Sequence, residues 1–143
     1  MLKSPKQTKY RKYQQMPLKK TPAARSTQLN FGKYGLQVNE TKFISAQQLE
    51  ICRRNLRRII ARKAPIWIRS FPYRPTFAKD AGQRMGKGKG ERTGWVCPVK
   101  KGQIILEVGP EVSISIVRKA FRLITFQLGV STTLIEKNNL IAK

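Results

Sequence analysis

The sequence lacks histidine entirely and has only seven acidic residues among its 143. Without histidine, neither a histidine general base nor a zinc site of the usual Cys/His spacing can form. No two acids form a close pair in the sequence; they are Glu40, Glu50, Asp80, Glu91, Glu107, Glu111 and Glu136. Carboxylate catalysis by residues distant in sequence stays open, but no pattern indicates it. We therefore predict that the protein is not an enzyme and uses no metal or other cofactor.

Cysteine is also scarce, and the two present are Cys52 and Cys97. They lie far apart and belong to no CxxC pair, which argues against a metal site. Cys52 falls on the apolar face of a predicted helix and Cys97 in a predicted strand. We expect two buried free thiols rather than a disulfide, and a reducing compartment suits such a pair.

No apolar run approaches the roughly 18 residues that a membrane-spanning helix needs. The first six residues contain no apolar segment typical of a secretory signal, and we interpret the N-terminus as part of the working protein. We expect no membrane span, although binding to an anionic membrane surface remains open as the weaker alternative.

Positive charge is what the sequence has in excess. Lysine and arginine total 30, so the formal net charge is +23 and the isoelectric point is about 11.0. Self-repulsion of this size is unfavourable for a compact free protein, and a polyanionic partner would relieve it. The charge favours nucleic acid as that partner.

Residues 1–27 form a predicted basic arm without a single acid. Tyr10 and Tyr13 are interleaved with its cations, and aromatic rings among cations can stack on bases while the cations hold phosphates. We expect an extended arm that becomes ordered on its partner, with a flexible solvated tail as the alternative. The cations of the arm that we predict to hold nucleic-acid phosphates are Lys3, Lys6, Lys9, Arg11 and Lys12.

Residues 28–143 are predicted to form a single α+β domain. Alternating apolar residues, Phe31 among them, predict short strands over 28–44, and Ser45 with Gln48 forms a capping box that starts a helix ending at Pro65. After this helix we predict a strand over 66–71 and a long loop over 73–94. Two strands joined as a hairpin at 100–102, a helix over about 113–128 and a last strand complete the domain. We expect an antiparallel or mixed sheet with both helices on one side.

The first helix has an apolar stripe and an arginine-rich face. Arg53, Arg54, Arg57 and Arg58 place like charges four residues apart, which is mildly destabilising without an anion. We predict that this face binds phosphate; a face exposed only to solvent is the alternative.

The most distinctive segment lies in the long loop, where glycines alternate with lysines. Its residues are Arg84, Met85, Gly86, Lys87, Gly88, Lys89 and Gly90. Glycine permits positive φ and a close backbone approach, and arginine can grip phosphate with two donors. The spacing fits neither a P-loop nor the dinucleotide fingerprint. We expect the loop to lie against a polyanion, although a flexible basic loop would have a similar composition.

Two stretches of the sequence resemble family motifs. The first is IWIRSFP at residues 66–72, and the second is RMGKGKG at 84–90, with Trp95 after four further residues. Both are similar to the signatures of the bacterial-type large-subunit ribosomal protein of the universal L-sixteen family. The opening MLKSPKQTKYRK and the segment at 30–36 resemble the family as well, so the likeness covers nearly the whole chain. Ala64-Pro65, the arm over 14–27 and residues 110–116 depart from the family pattern.

The resemblance implies an α/β-hammerhead-like fold and a structural role in the ribosome. It implies binding to large-subunit ribosomal RNA, with Arg69 and the arm as contacts, beside neighbouring large-subunit proteins. It further implies that residues 84–90 reach toward aminoacyl-site tRNA near the peptidyl transferase centre, and that the protein helps to assemble the large subunit.

Two questions stay open at the level of sequence. Residues 8–14 and 93–95 look more like mitochondrial members of the family than like typical bacterial ones, so we expect a mitochondrial ribosome, with a plastid or bacterial origin as the alternative. A free-standing RNA- or DNA-binding regulator is the competing hypothesis for function.

Overall fold

The computed structural model describes residues 4–12 and 14–137, and these contain seven strands and two helices. The elements in chain order are β1 (Tyr34–Val38), β2 (Lys42–Ser45), α1 (Ala46–Ile59), β3 (Ile66–Ile68), β4 (Arg74–Ala78), β5 (Glu91–Val99), β6 (Ile104–Val108), α2 (Ile114–Leu128) and β7 (Thr132–Glu136). The predicted α+β class is confirmed.

The strands form two sheets, and every strand pair is antiparallel. One sheet has four strands in the order β3-β6-β1-β7, and the other has three in the order β2-β5-β4. The predicted hairpin between β5 and β6 is therefore wrong, because these strands belong to different sheets. The chain changes sheet at Gly102, where φ is +88°. The end of β1 holds this turn, since Gly102 N–H donates to Val38 O at 2.6 Å and Val38 N–H donates to Gln103 O at 2.9 Å.

Helix α1 begins as the sequence predicts. Ser45 accepts a hydrogen bond from the N–H of Gln48, and the Gln48 side chain accepts one from the N–H of Ser45. The helix ends at Ile59 rather than at Pro65, because Ala61 and Arg62 adopt positive φ. The N–H groups of these two residues donate to the carbonyls of Arg58 and Arg57 at 3.2 and 3.3 Å. This is the Schellman arrangement, which usually has glycine where Ala61 stands.

The apolar core lies between the helices and the strands. Helices α1 and α2 pack against each other, and the residues they bury are Leu49, Cys52, Leu56, Val117, Ala120, Phe121, Ile124 and Leu128. All five residues of β6 are buried, so both faces of this strand are covered. Leu29, which precedes β1 in the chain, reaches the space beside Gly35 and Ile104. The residues before β1 therefore cover part of the four-stranded sheet.

The long loop is shorter than predicted. Strand β4 lies at the start of the interval 73–94, and the first four residues of β5 lie at its end. The connection between them, residues 79–90, contains no helix or strand. Pro75, which favours a loop in the sequence, lies inside β4 opposite Trp95. Strand β4 tolerates proline because it is at the edge of its sheet and one side of it needs no ladder hydrogen bond.

The predicted arm lies against the domain over much of its length. Ala23 N–H donates to Lys101 O, and Ser26 O accepts from Ile104 N–H, both at 2.8 Å. Closer to the N-terminus, the Arg74 guanidinium donates to Met16 O. These contacts attach the arm to β4, to β6 and to the turn between β5 and β6, while the domain boundary at residue 27 stays a prediction.

Candidate nucleic-acid interface

The glycine-lysine segment forms the outer part of the loop between β4 and β5. Residues 84–89 are all exposed, and the Met85 side chain is fully so. Gly86, Lys87 and Gly88 have consecutive positive φ values of 99°, 52° and 86°. No heavy atom lies within 4 Å of a Cβ built on Gly86 or Gly88. The loop thus exposes bare backbone, which another surface can approach closely.

Gly90 has a different role, at the base of the loop. A Cβ built on Gly90 would lie 2.1 Å from the carbonyl oxygen of Ala78, a backbone atom that cannot move aside. Only glycine lets β5 begin this close to the end of β4. At the same end, Lys89 Nζ lies 4.8 Å from the centroid of the Phe77 ring. Lys79 also donates to Gly86 O, which links one side of the loop to the other.

The basic arm meets the base of this loop. Lys12 Nζ donates to Lys89 O at 2.6 Å, and Arg11 Nη2 lies 3.6 Å from Glu91 Oε1. The ion pair is about four-fifths exposed on each side, so water screens it and it adds little stability. Lys6 and Lys9 are exposed as well, whereas Lys3 lies outside the described residues. The structure therefore brings Arg11 and Lys12 of the arm together with the predicted loop.

The arginine face of α1 forms a second basic area. Arg54, Arg57 and Arg58 are exposed and Arg53 is partly buried. Together with Ala61 and Arg62 they line one shallow surface depression. Four of the predicted contacts thus share one surface.

Glu50 organises the first turn of that face. Arg53 donates to its carboxylate from Nε and Nη2 at 3.0 and 2.7 Å, and Arg54 donates from Nε at 3.0 Å. The hydrogen bonds from Arg53, aided by Arg54, lower the pKa of Glu50 to about 2 although burial opposes the shift. One acid thus fixes two of the four arginines, a role that the sequence did not reveal.

Arg69, which the family resemblance suggests as an RNA contact, has an internal partner. Its Nη1 donates to Glu107 Oε1 at 2.6 Å and also to Gln28 O. The Arg69 side chain is 12% exposed and that of Glu107 is 0% exposed. This geometry directs the guanidinium into the protein, so a contact between Arg69 and RNA stays a prediction.

The Glu107 carboxylate also binds the backbone that precedes β1. It accepts hydrogen bonds from the N–H groups of Phe31 and Gly32 at 2.7 and 2.8 Å and from that of Asn30 at 3.4 Å. Burial raises the pKa of Glu107, but these hydrogen bonds and the one from Arg69 outweigh it and hold the pKa below its ordinary value. The sequence does indicate that Glu107 has a special role, since it is the only acid in the apolar run of β6.

Phe31 is not the strand residue that the alternation predicts. It precedes β1, is 62% exposed, and stacks on Trp67 with ring centroids 6.1 Å apart and an interplanar angle of 25°. Sequence reasoning missed this pair because Phe31 and Trp67 are distant in the chain and each fits an ordinary strand pattern.

Two kinds of feature are absent from the part of the chain that the structure describes. No group of three or more cysteines, acids or histidines lies close enough there to hold a metal ion. Neither of the described helices has the length and apolar character required to cross a membrane.

Comparison with known proteins adds two findings. Residues 5–135 match the model of the family described as ribosomal protein L16p/L10e. The chain is also 40% identical, over 137 residues, to the large ribosomal subunit protein uL16c of Thalassiosira pseudonana, and the match covers 96% of this chain and 98% of the relative.

The family match and this relative identify the basic α+β domain as a structural component of the ribosome rather than an enzyme. The chain belongs to the ribosomal protein L16p/L10e family, and its place is the large ribosomal subunit.

Proposed function

We propose that this protein binds large-subunit ribosomal RNA and presents its glycine-lysine loop to aminoacyl-site tRNA near the peptidyl transferase centre. The observation that carries the proposal is the exposed backbone at Gly86 and Gly88, where no heavy atom of the described residues, beyond the chain neighbours, lies within 4 Å of a built Cβ. Lys87, Lys89 and Arg84 add positive charge at the same point. The combination suits a close approach to a phosphate backbone.

Ribosomal RNA would bind the two basic areas. The loop base supplies Arg11 and Lys12, and the α1 face supplies Arg57 and Arg58, whose guanidinium groups are exposed. The full set of proposed RNA contacts is Lys3, Lys6, Lys9, Arg11, Lys12, Arg53, Arg54, Arg57, Arg58 and Arg69. Among these residues, Arg69 has the least support as an RNA contact because its guanidinium is already paired with Glu107. By holding rRNA and neighbouring proteins together, the protein would also assist assembly of the large subunit.

The electrostatic part of this proposal predicts a steep dependence on salt. If roughly 6–10 phosphates are neutralised, the affinity of the purified protein for large-subunit RNA should fall about 10³–10⁵-fold between 50 and 200 mM salt. Filter binding across that range measures the slope. A flat response would overturn the electrostatic account.

The loop is tested by Arg84→Ala. Because Arg84 is exposed outside the core, we expect an unchanged fold but reduced translation or delayed late assembly of the large subunit. Arg122→Ala is the matched control, since it removes the same charge from an exposed position on α2. Sucrose-gradient profiles and translation rates are compared between the two variants. Normal profiles and normal rates for Arg84→Ala would exclude the proposed role of the loop.

For localisation we propose the mitochondrial ribosome, predicted from residues 8–14 and 93–95, with a plastid or bacterial ribosome as the alternative. The uL16c relative supports the plastid alternative instead. Immunodetection in separated mitochondrial, plastid and cytosolic ribosome fractions decides among these locations.

A further inference from the structure

A shallow groove lies on the side of the molecule where the segment before β1 crosses β3. We call it the aromatic-arginine groove, and its lining includes Phe31, Arg53, Trp67 and Phe71. A neighbouring depression shares Arg53 with it and adds Arg57, Arg62 and Lys63. Neither the glycine-lysine loop nor residues 4–12 contribute to these two surfaces. The groove is therefore separate from the loop already described.

Phe31 is the central aromatic of the groove. It is 62% exposed, although its ring rests on Trp67. The Phe31 N–H donates to the buried Glu107 carboxylate at 2.7 Å, which fixes the backbone that carries the ring. A rigid ring with one covered face and one open face can accept a third flat group at little cost in conformational entropy.

Every charged side chain that lines the groove and its neighbour is a cation. The lining of the groove and of its neighbour contains arginines and a lysine but no acid. Arg53 is held by Glu50 through Nε and Nη2, and its side chain is 26% exposed. On the other side, the Glu107 carboxylate is fully buried and paired with Arg69. This lining suits a ligand that has a flat face and an anionic group.

We propose that the aromatic-arginine groove holds one unpaired nucleotide of RNA. The base stacks on the open face of Phe31, and the adjoining phosphates bind the exposed cations of the neighbouring depression, Arg57, Arg62 and Lys63. Unpaired nucleotides are recognised through aromatic stacking combined with cationic contacts to the backbone. This inference rests on the proposed binding of ribosomal RNA and adds a defined site to it.

The test uses Trp67 as a reporter. The chain has two tryptophans, Trp67 and Trp95, so Trp95→Phe leaves Trp67 as the only one. Single-stranded oligoadenylate of about eight nucleotides, within the usual site size of 4–16, is titrated against the full-length protein. We expect Trp67 fluorescence to change on binding, because a base stacked on Phe31 extends the ring pair beneath it.

Two substitutions at Phe31 are compared in that background. Phe31→Ala removes the stacking face, and Phe31→Leu removes it while keeping an apolar cover over Trp67. Both should weaken binding roughly 5-fold or more, as expected when a stacked base is lost, and the salt slope should stay unchanged. Phe126→Ala is the control, because Phe126 is 74% exposed on α2 away from the groove. Circular dichroism checks that every variant is folded.

The outcomes separate this site from the general proposal. If the parent protein binds with a steep salt dependence but Phe31→Ala and Phe31→Leu bind as tightly as Phe126→Ala, the groove inference is wrong and the electrostatic proposal stands. If the parent does not bind RNA, both fail. If the Phe31 variants bind RNA normally but lose a protein neighbour from the assembled subunit, the groove binds protein and the inference is overturned.

Discussion

Arg69 Nη1 lies 2.6 Å from Glu107 Oε1, and this ion pair is almost completely removed from water. Arg69 comes directly after β3 and Glu107 lies in the adjacent strand β6, so the pair links two neighbours of one sheet. The same carboxylate binds the backbone before β1. One buried acid therefore determines where three separate segments meet.

Replacing Glu107 tests that role. Glu107→Gln keeps the shape of the side chain but leaves the Arg69 charge buried without an anion. Removing one partner of a buried pair typically costs about 3–5 kcal/mol, and we expect a loss of this order in the free energy of unfolding measured with urea.

A matched exposed pair supplies the control for that measurement. Lys33 Nζ lies 3.4 Å from Glu136 Oε1, and both side chains are more than a third exposed. Glu136→Gln should cost less than about 1 kcal/mol because water screens the pair. Equal losses for Glu107→Gln and Glu136→Gln would show that the buried pair does not organise the fold.

The pKa of Glu50 predicts a loss of stability in acid. Its folded-state pKa is about 2 and its ordinary value 4.5, so the charged form is favoured by folding. The stabilisation is present above about pH 4.5 and disappears as the pH falls from there to about 2. We expect the stability difference between the parent and Glu50→Gln to shrink over this interval. An NMR titration of the Glu50 carboxyl with a midpoint near 4.5 would contradict the assignment.

Alanine at two glycines of the loop should be unfavourable for different reasons and should affect different parts of the structure. Gly90→Ala places a Cβ against Ala78 O, so it should destabilise the β4–β5 pair by roughly 1–3 kcal/mol, as forced overpacking does. Gly88→Ala meets no neighbour and carries only the penalty of its positive φ, about 1–2 kcal/mol within a loop that is not part of the core. Amide hydrogen exchange in β5 distinguishes them: protection should fall in Gly90→Ala and persist in Gly88→Ala.

Both cysteines should resist thiol reagents in the folded protein. Cys52 and Cys97 are free and buried, as the sequence predicts. Burial raises the pKa of Cys52 to about 12 and that of Cys97 to about 11, so almost no reactive thiolate exists near neutral pH. A colorimetric thiol assay should detect neither before denaturation and both after it. Rapid reaction of one thiol in the native protein would show that its element opens readily.

Features encoded by neighbouring residues were predictable from the sequence. The capping box of Ser45 and Gln48 spans three residues, and it starts α1 as expected. The exposed loop at 84–90 follows from the conformational freedom of its glycines and the hydration of its lysines. These segments are determined locally, so no knowledge of the fold was needed.

Features that depend on contacts between distant segments were not predictable in the same way. Arg69 has the same chemistry whether it meets phosphate or a carboxylate, and only the pairing of β3 with β6 brings Glu107 to it. The sequence predicts a loop where β4 lies, because Pro75 is compatible with a strand only at a sheet edge and the sheet order is not visible in the sequence. The stacking of Phe31 on Trp67 likewise needs the tertiary fold.

The partners of the Glu107 carboxylate also bear on the order in which the chain becomes structured during synthesis. The N–H groups of Asn30, Phe31 and Gly32 bind an acceptor 75 to 77 positions later in the chain. Until the ribosome that makes this protein has added β6, these groups have no such acceptor, and a contact at this separation forms late. The segment that is synthesised early is therefore among the last to be fixed, and the basic residues before it lack this attachment while the strands up to β6 are being made.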